Sequence, residues 1–275
     1  MNISFASVIT IARKEFYEYL KTKRLLIVGG LYAIGFLLAV SIMSYYKSPD
    51  DFRSLISTAH SIVSIFYILL PITLSYDLIA GEWSRKSIFL LLSKSVNREE
   101  VIIGKFLGIS IIICTVLIPV ATIGHLIAIA ALGNPGLESM GRAYAYLAVI
   151  LLGTACYISF SLLFSTITRT TATALISSII VGWFGLNMVY PIANLFRFLT
   201  GHGSDSTPLY GKIAFAISPS NCMAATTQIL SDKIMGFSTG NIYPISIFQA
   251  VIMMAVFCIV IFIIALTLFK RKELT

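Results

Sequence analysis

The chain has 275 residues, 57% hydrophobic and only 12% charged, where an ordinary soluble domain carries roughly 25% charge. Twenty Lys and Arg with twelve Asp and Glu cannot clothe an aqueous surface around so much apolar material, so the bilayer is the solvent that fits. The net charge of +8 sits in clusters flanking apolar runs. It forms no basic stripe interleaved with aromatics, which argues against a nucleic-acid partner.

Residues 1–24 come first. Phe5, Val8, Ile9, Ala12, Phe16 and Leu20 fall on one helical stripe, with Arg13 and Lys14 off it. A basic amphipathic helix of this kind is expected to lie in the inner membrane interface, its cations meeting lipid headgroups. The first apolar run begins at Leu25 and exceeds the roughly 7–15 residues of a signal-peptide core, so it is read as a retained membrane helix.

About 20 apolar residues at 1.5 Å rise cross the hydrocarbon core. Six uncharged runs qualify, at 25–46, 55–76, 106–132, 143–165, 171–194 and 244–269. The predicted fold is therefore all-α, a polytopic six-helix transmembrane domain over 25–275, preceded by the interfacial helix. No run alternates with period two, which excludes the strands of a membrane barrel. Pro119 offers a bend in the long third run. Cys114, Cys156, Cys222 and Cys258 are scattered without metal-ligand spacing and read as small packing residues.

Six spans place both termini on one side. With the N-terminus inside, the inner segments hold fourteen of the twenty basic residues, so a cell-membrane protein with cytoplasmic termini is expected. The long outer segment, 196–243, opens with the loop Gly201-His202-Gly203-Ser204. There His202 is read as solvated. Ser218-Pro219 then offers an N-cap with proline at the first helical position. A short helix through about Leu230, lying on the outer leaflet or dipping into it, follows.

The cytoplasmic segment 77–100 carries the most information. It sets five consecutive apolar residues, 88–92, in the middle of a charged loop. Such a helix is apolar on nearly every side, so part of it needs a cytosolic protein surface. Gly81 permits a tight turn or close backbone approach before Glu82. Asn97 with Glu100 three residues on reads as a capping box that starts the third span.

At these residues the chain resembles the ABC-2 type permease family. The resemblance rests on Asp77, Ile79-Ala80-Gly81-Glu82, Ser87-Ile88, Leu90-Leu91-Leu92-Ser93, Val96-Asn97-Arg98 and Gly104-Lys105, supported by Ala12-Arg13-Lys14-Glu15 and the basic C-terminal end. It is most similar to the branch that includes the permease of the nitrous-oxide-reductase maturation system. Lys86 stands where the family usually has glycine, and Ser95 where it usually has proline. The resemblance implies that this segment is a coupling helix docking onto a separate ATPase subunit through Gly81, Glu82, Trp83, Ile88, Leu91, Leu92 and Arg98. It also implies an exporter, and because six spans make half of a typical translocation path, a dimer with a second copy or a related permease is expected. ATP would be bound by the partner, with no cofactor or metal in this chain. Consistently, Glu99 and Ser206 stand where a phosphate loop ending in Gly104-Lys105 or Gly211-Lys212 would need glycine.

Glu82 is expected to meet a cation of the ATPase, against the plainer reading of a solvated helix-start acid. Asp77 is expected to pair with Lys105 or Arg98, or simply to sit at the interface. His60 and His125, inside spans, are candidates for a substrate path or for a helix contact. Gly104 and Gly108 form a GxxxG, a pattern frequent by chance. The competing function is an ion-gradient-driven carrier or channel, but no Asp or Glu falls in the middle of any predicted span. No set of residues suited to hydrolysis appears either, so the chain is not read as an enzyme.

Overall fold

The computed structural model describes residues 4–47, 51–85, 97–199, 209–230, 233–234, 237–238 and 243–271. Among the described residues the bundle is helical apart from an antiparallel hairpin of two-residue strands, β1 (Lys233–Ile234) and β2 (Phe237–Ser238). Among the described residues five helices are long and apolar enough to cross a membrane, and a bent pair supplies a sixth if counted as one span. The chain is a multi-pass helical membrane protein.

Helix α1 (Phe5–Leu20) leads through a short turn into α2 (Lys23–Tyr46), the first span. The second span is broken. Asp51 accepts the Ser54 N–H at 3.2 Å and caps α3 (Phe52–Ile62), the chain bends by 47° through 63–65, and α4 (Phe66–Ser75) then continues toward a short α5 (Ala80–Ser84). The apolar run read from the sequence is continuous there and hid this bend. The third span, α6 (Arg98–Leu132), has 35 residues. At 1.5 Å per residue it is roughly 50 Å long, so its first turns extend beyond a bilayer core. A turn with Gly133 at φ 90° and Gly136 at φ 82° connects it to α7 (Gly136–Ile167). Backbone of that kind strains any side chain with a Cβ.

The fifth span runs from α8 (Thr171–Ser177) through a π-helical segment, Ser178–Gly185, into α9 (Leu186–Leu199). Gly182 lies against Phe160 of α7 so closely that a Cβ there would come 2.8 Å from the ring. Within the predicted outer segment 196–243, α10 (Leu209–Ala216) and α11 (Pro219–Thr226) precede the last span, α12 (Ile247–Arg271). The central element is α7, which packs against α4, α6, α11 and α12. Two-thirds of its most apolar window is buried, against 11% for α12.

Two expectations change in detail. The predicted stripe of α1 is split: Val8 and Ala12 face the bundle together with Glu15 and Tyr19, while Phe5, Ile9 and Leu20 remain exposed. The inward face is the one that rests on α6, where Gly104 and Gly108 leave room for Ile11, Ala12 and Glu15. The segment around Ser218-Pro219 is a helix as expected, and of the two placements expected for it the packing fits the deeper one, since α11 inserts against α7 and α12. Cys222, Met223 and Thr226 are buried, and Met223 occupies the space left by Gly153, where a Cβ would be 2.2 Å from its sulfur. Ser218 makes no side-chain cap, because its hydroxyl donates to Asn187 Oδ1 of α9 at 2.8 Å.

Candidate functional site

The basic end of the bundle gathers α1, the start of α2, α5 and the first turns of α6. The GxxxG of α6 makes this possible. A Cβ on Gly104 would lie 2.8 Å from Ile11 Cβ and 3.0 Å from the Val8 carbonyl oxygen; one on Gly108 would lie 2.9 Å from Glu15 Cβ. The two glycines let α1 rest backbone-close on α6, the packing that small-xxx-small pairs permit.

That approach brings Lys105 into a buried cluster. Its Nζ lies 2.6 Å from Glu15 Oε1 of α1 and 2.8 Å from Glu82 Oε1 of α5, with side-chain exposures of 3%, 5% and 15% respectively. One cation thus ties together three elements far apart in sequence. Beside it, Asp77 accepts the Tyr19 hydroxyl at 2.9 Å and the Arg24 guanidinium at 2.6 Å, so it pairs with neither Lys105 nor Arg98 as expected from sequence. Burial, reinforced by the neighbouring Asp77 and Glu15 carboxylates, raises the Tyr19 phenol well above its ordinary range and keeps it a donor.

The residues predicted to couple to a partner are placed in different ways. Glu82 is engaged within the chain by Lys105. Trp83 packs partly buried against the core. Gly81 lies inside α5 at ordinary helical φ, with Asp77 and Thr171 within van der Waals reach of where a Cβ would be. Its role is close approach. The turn itself is made upstream, where the Ile79 and Ala80 amides both donate to Ser165 Oγ of α7 at 2.9 Å. Arg98 reaches the other end of the chain, donating to the Phe269 and Lys270 carbonyls at 3.3 and 2.9 Å and closing the C-terminus of α12. Lys270 pairs with Glu99 in the same contact. Ile88, Leu91 and Leu92 lie outside the described residues. Asn97 and Glu100 form the expected cap, with Glu100 also accepting the Ser4 amide at 2.8 Å.

His60 and His125 come together, ring centroids 6.3 Å apart, fully inside the bundle. His60 Nδ1 is 2.6 Å from the Tyr67 hydroxyl, and its ring stands edge-on to Tyr146 at 5.3 Å. Tyr67 and Tyr146 in turn face a cavity of about 440 Å³, whose wall also includes Ser61, Trp183, Ser220 and Tyr243 but neither histidine. His60 therefore stands behind the cavity wall, and His125 behind His60. Sequence reasoning missed these lining residues, and equally missed Glu15, Tyr19, Arg24 and Ser165. The only sequence signal for the cavity is a run of hydroxyls, Ser61, Ser64 and Tyr67, inside an otherwise apolar span.

A bundle of this kind, with a charged knot joining its N-terminal helix to α5 and α6, is that of a multi-pass membrane protein. Residues 9–274 match the family described as ABC-2 family transporter protein, and the chain belongs to that family. Over 110 residues it is 34% identical to a probable ABC transporter permease protein NosY from Pseudomonas aeruginosa, and over 109 residues 33% identical to the NosY of Stutzerimonas stutzeri. These alignments span 38% of this chain and 39% or 38% of the respective relatives, so the chain matches well under half the length of either.

Proposed function

We propose that this chain is the permease subunit of an ABC exporter, driven by ATP hydrolysis on a separate ATPase that docks on the segment between α5 and α6. The observation that carries the reading is the Lys105 knot. Glu82 sits at the mouth of that segment and is joined through Lys105 to both α6 and α1, so a displacement of the segment loads two helices at once. Alternating access then follows from rocking of two permease copies as the ATPases close. The expected assembly is two permeases with two ATPases in the cell membrane, termini in the cytoplasm.

The test is purification of the tagged chain from its native host in mild detergent, with mass spectrometry of what is retained. Wild type should bring down a phosphate-loop ATPase, and Leu91→Asp should lose it while remaining monodisperse. Failure to recover any such ATPase with wild type, even after crosslinking, would favour a gradient-driven carrier.

A further inference from the structure

At the basic end, a polar cleft of about 750 Å³ opens between α1, the first turn of α2 and α5. Six basic and four acidic side chains line it. All four carboxylates are consumed internally: Glu18 by Lys14, Asp77 by Arg24, and Glu15 and Glu82 by Lys105. Among the described residues this leaves Lys21, Lys23 and Arg85 without an ion-pair partner. The α1–α2 turn that presents two of them is held by the Thr22 hydroxyl and amide, which both donate to the Tyr19 carbonyl, at 2.7 and 2.9 Å. Because that hydroxyl points backward, the first turn of the 24-residue α2 has no side-chain cap. Uncapped amides and the positive end of a long helix favour an anion at the same mouth.

The surface on either side is apolar. Tyr17 and Leu20 on α1, and Leu26 and Ile27 on α2, are exposed within a turn or so of the cleft. The unpaired cations therefore stand where a chain-spanning apolar surface ends, the level of phosphates in a bilayer. A soluble anion has no use for that flank, whereas a lipid covers it with acyl chain.

We propose that this cleft binds the phosphodiester headgroup of an anionic membrane lipid, held by Lys21, Lys23, Arg85 and the α2 amides. The leaflet assigned to it, the inner one, rests on the orientation in the proposed function; the binding itself does not. Occupancy would pin α1 and α5 together beside the Lys105 knot.

The experiment uses the purified chain in neutral detergent, without any ATPase, titrated with dioleoylphosphatidylglycerol or dioleoylphosphatidylcholine and read by native mass spectrometry. Each cation near a membrane surface is worth roughly fivefold in affinity, so removing three costs on the order of a hundredfold. Wild type should retain phosphatidylglycerol at least about tenfold better than phosphatidylcholine. The triple variant Lys21→Gln/Lys23→Gln/Arg85→Gln should lose that preference. The control Lys47→Gln/Arg53→Gln/Lys212→Gln, with the same loss of charge elsewhere, should keep it. Equal retention of both lipids, or an unchanged preference in the first triple variant, would overturn the proposal. So would displacement of phosphatidylglycerol by millimolar inorganic phosphate, which would mark a site for a free anion. Retained lipid preference in the first triple variant, with loss of the ATPase when that variant is purified from the native host as above, would reassign the cleft to protein docking.

Discussion

Lys105 illustrates how a single side chain carries several helices. A buried cation with two carboxylates is weak evidence of net stability, because desolvation offsets attraction, but removing one partner leaves uncompensated buried charge and costs about 3–5 kcal/mol. Lys105→Met should therefore lower thermal stability in detergent sharply. Adding Glu15→Gln and Glu82→Gln to it should recover most of the loss, because no buried carboxylate is then left without its cation. A Lys105→Met protein as stable as wild type would contradict the buried cluster. The same geometry governs the choice of variant at Glu82. A lysine there would face Lys105 across a contact of 2.8 Å and disturb the fold irrespective of any ATPase, so Glu82→Gln is the cleaner probe of coupling. It removes the charge and keeps the shape.

The short-range fits between elements are set by glycine. Gly104 and Gly108 admit α1, Gly124 admits Phe36 and Gly153 admits Met223. At Gly104 the obstacle to a Cβ includes the Val8 backbone carbonyl, which cannot swing away. Gly104→Leu should therefore detach α1, seen as faster amide exchange across Phe5–Leu20 with the spans unchanged; protection equal to wild type would argue against the packing described. At Gly153 the neighbour is a methionine on the inserted helix α11, so a larger residue should push that helix out. In a background with Cys114, Cys156 and Cys258 replaced by alanine, Cys222 is buried and should resist a maleimide. With Gly153→Leu it should react, and continued protection would mean that α11 is held by other contacts.

Across the whole molecule, burial is uneven. The helix α7 is enclosed, while α12 and the stretch Thr171–Leu199 have only 11% and 17% of their most apolar windows buried. Those faces are available to lipid and to a second permease. Single cysteines along them should give a cross-linked dimer from one face only, and a scan without cross-links would count against the dimer. The sequence alone determined that the chain is helical and crosses the membrane several times, because bilayer thickness converts a run of about 20 apolar residues directly into a span. It also determined the cap at Asn97 and Glu100, a pattern only four residues long. Tertiary structure alone decided that Lys105 meets Glu15 and Glu82, that Asp77 takes Arg24 and Tyr19, and that a frequent GxxxG seats α1. These partners are separated by tens of residues and chosen by which helices can approach. Hydropathy is equally silent about the bend after Ile62 and the insertion of α11, since an apolar residue looks the same whether it faces lipid, a neighbouring helix or a cavity.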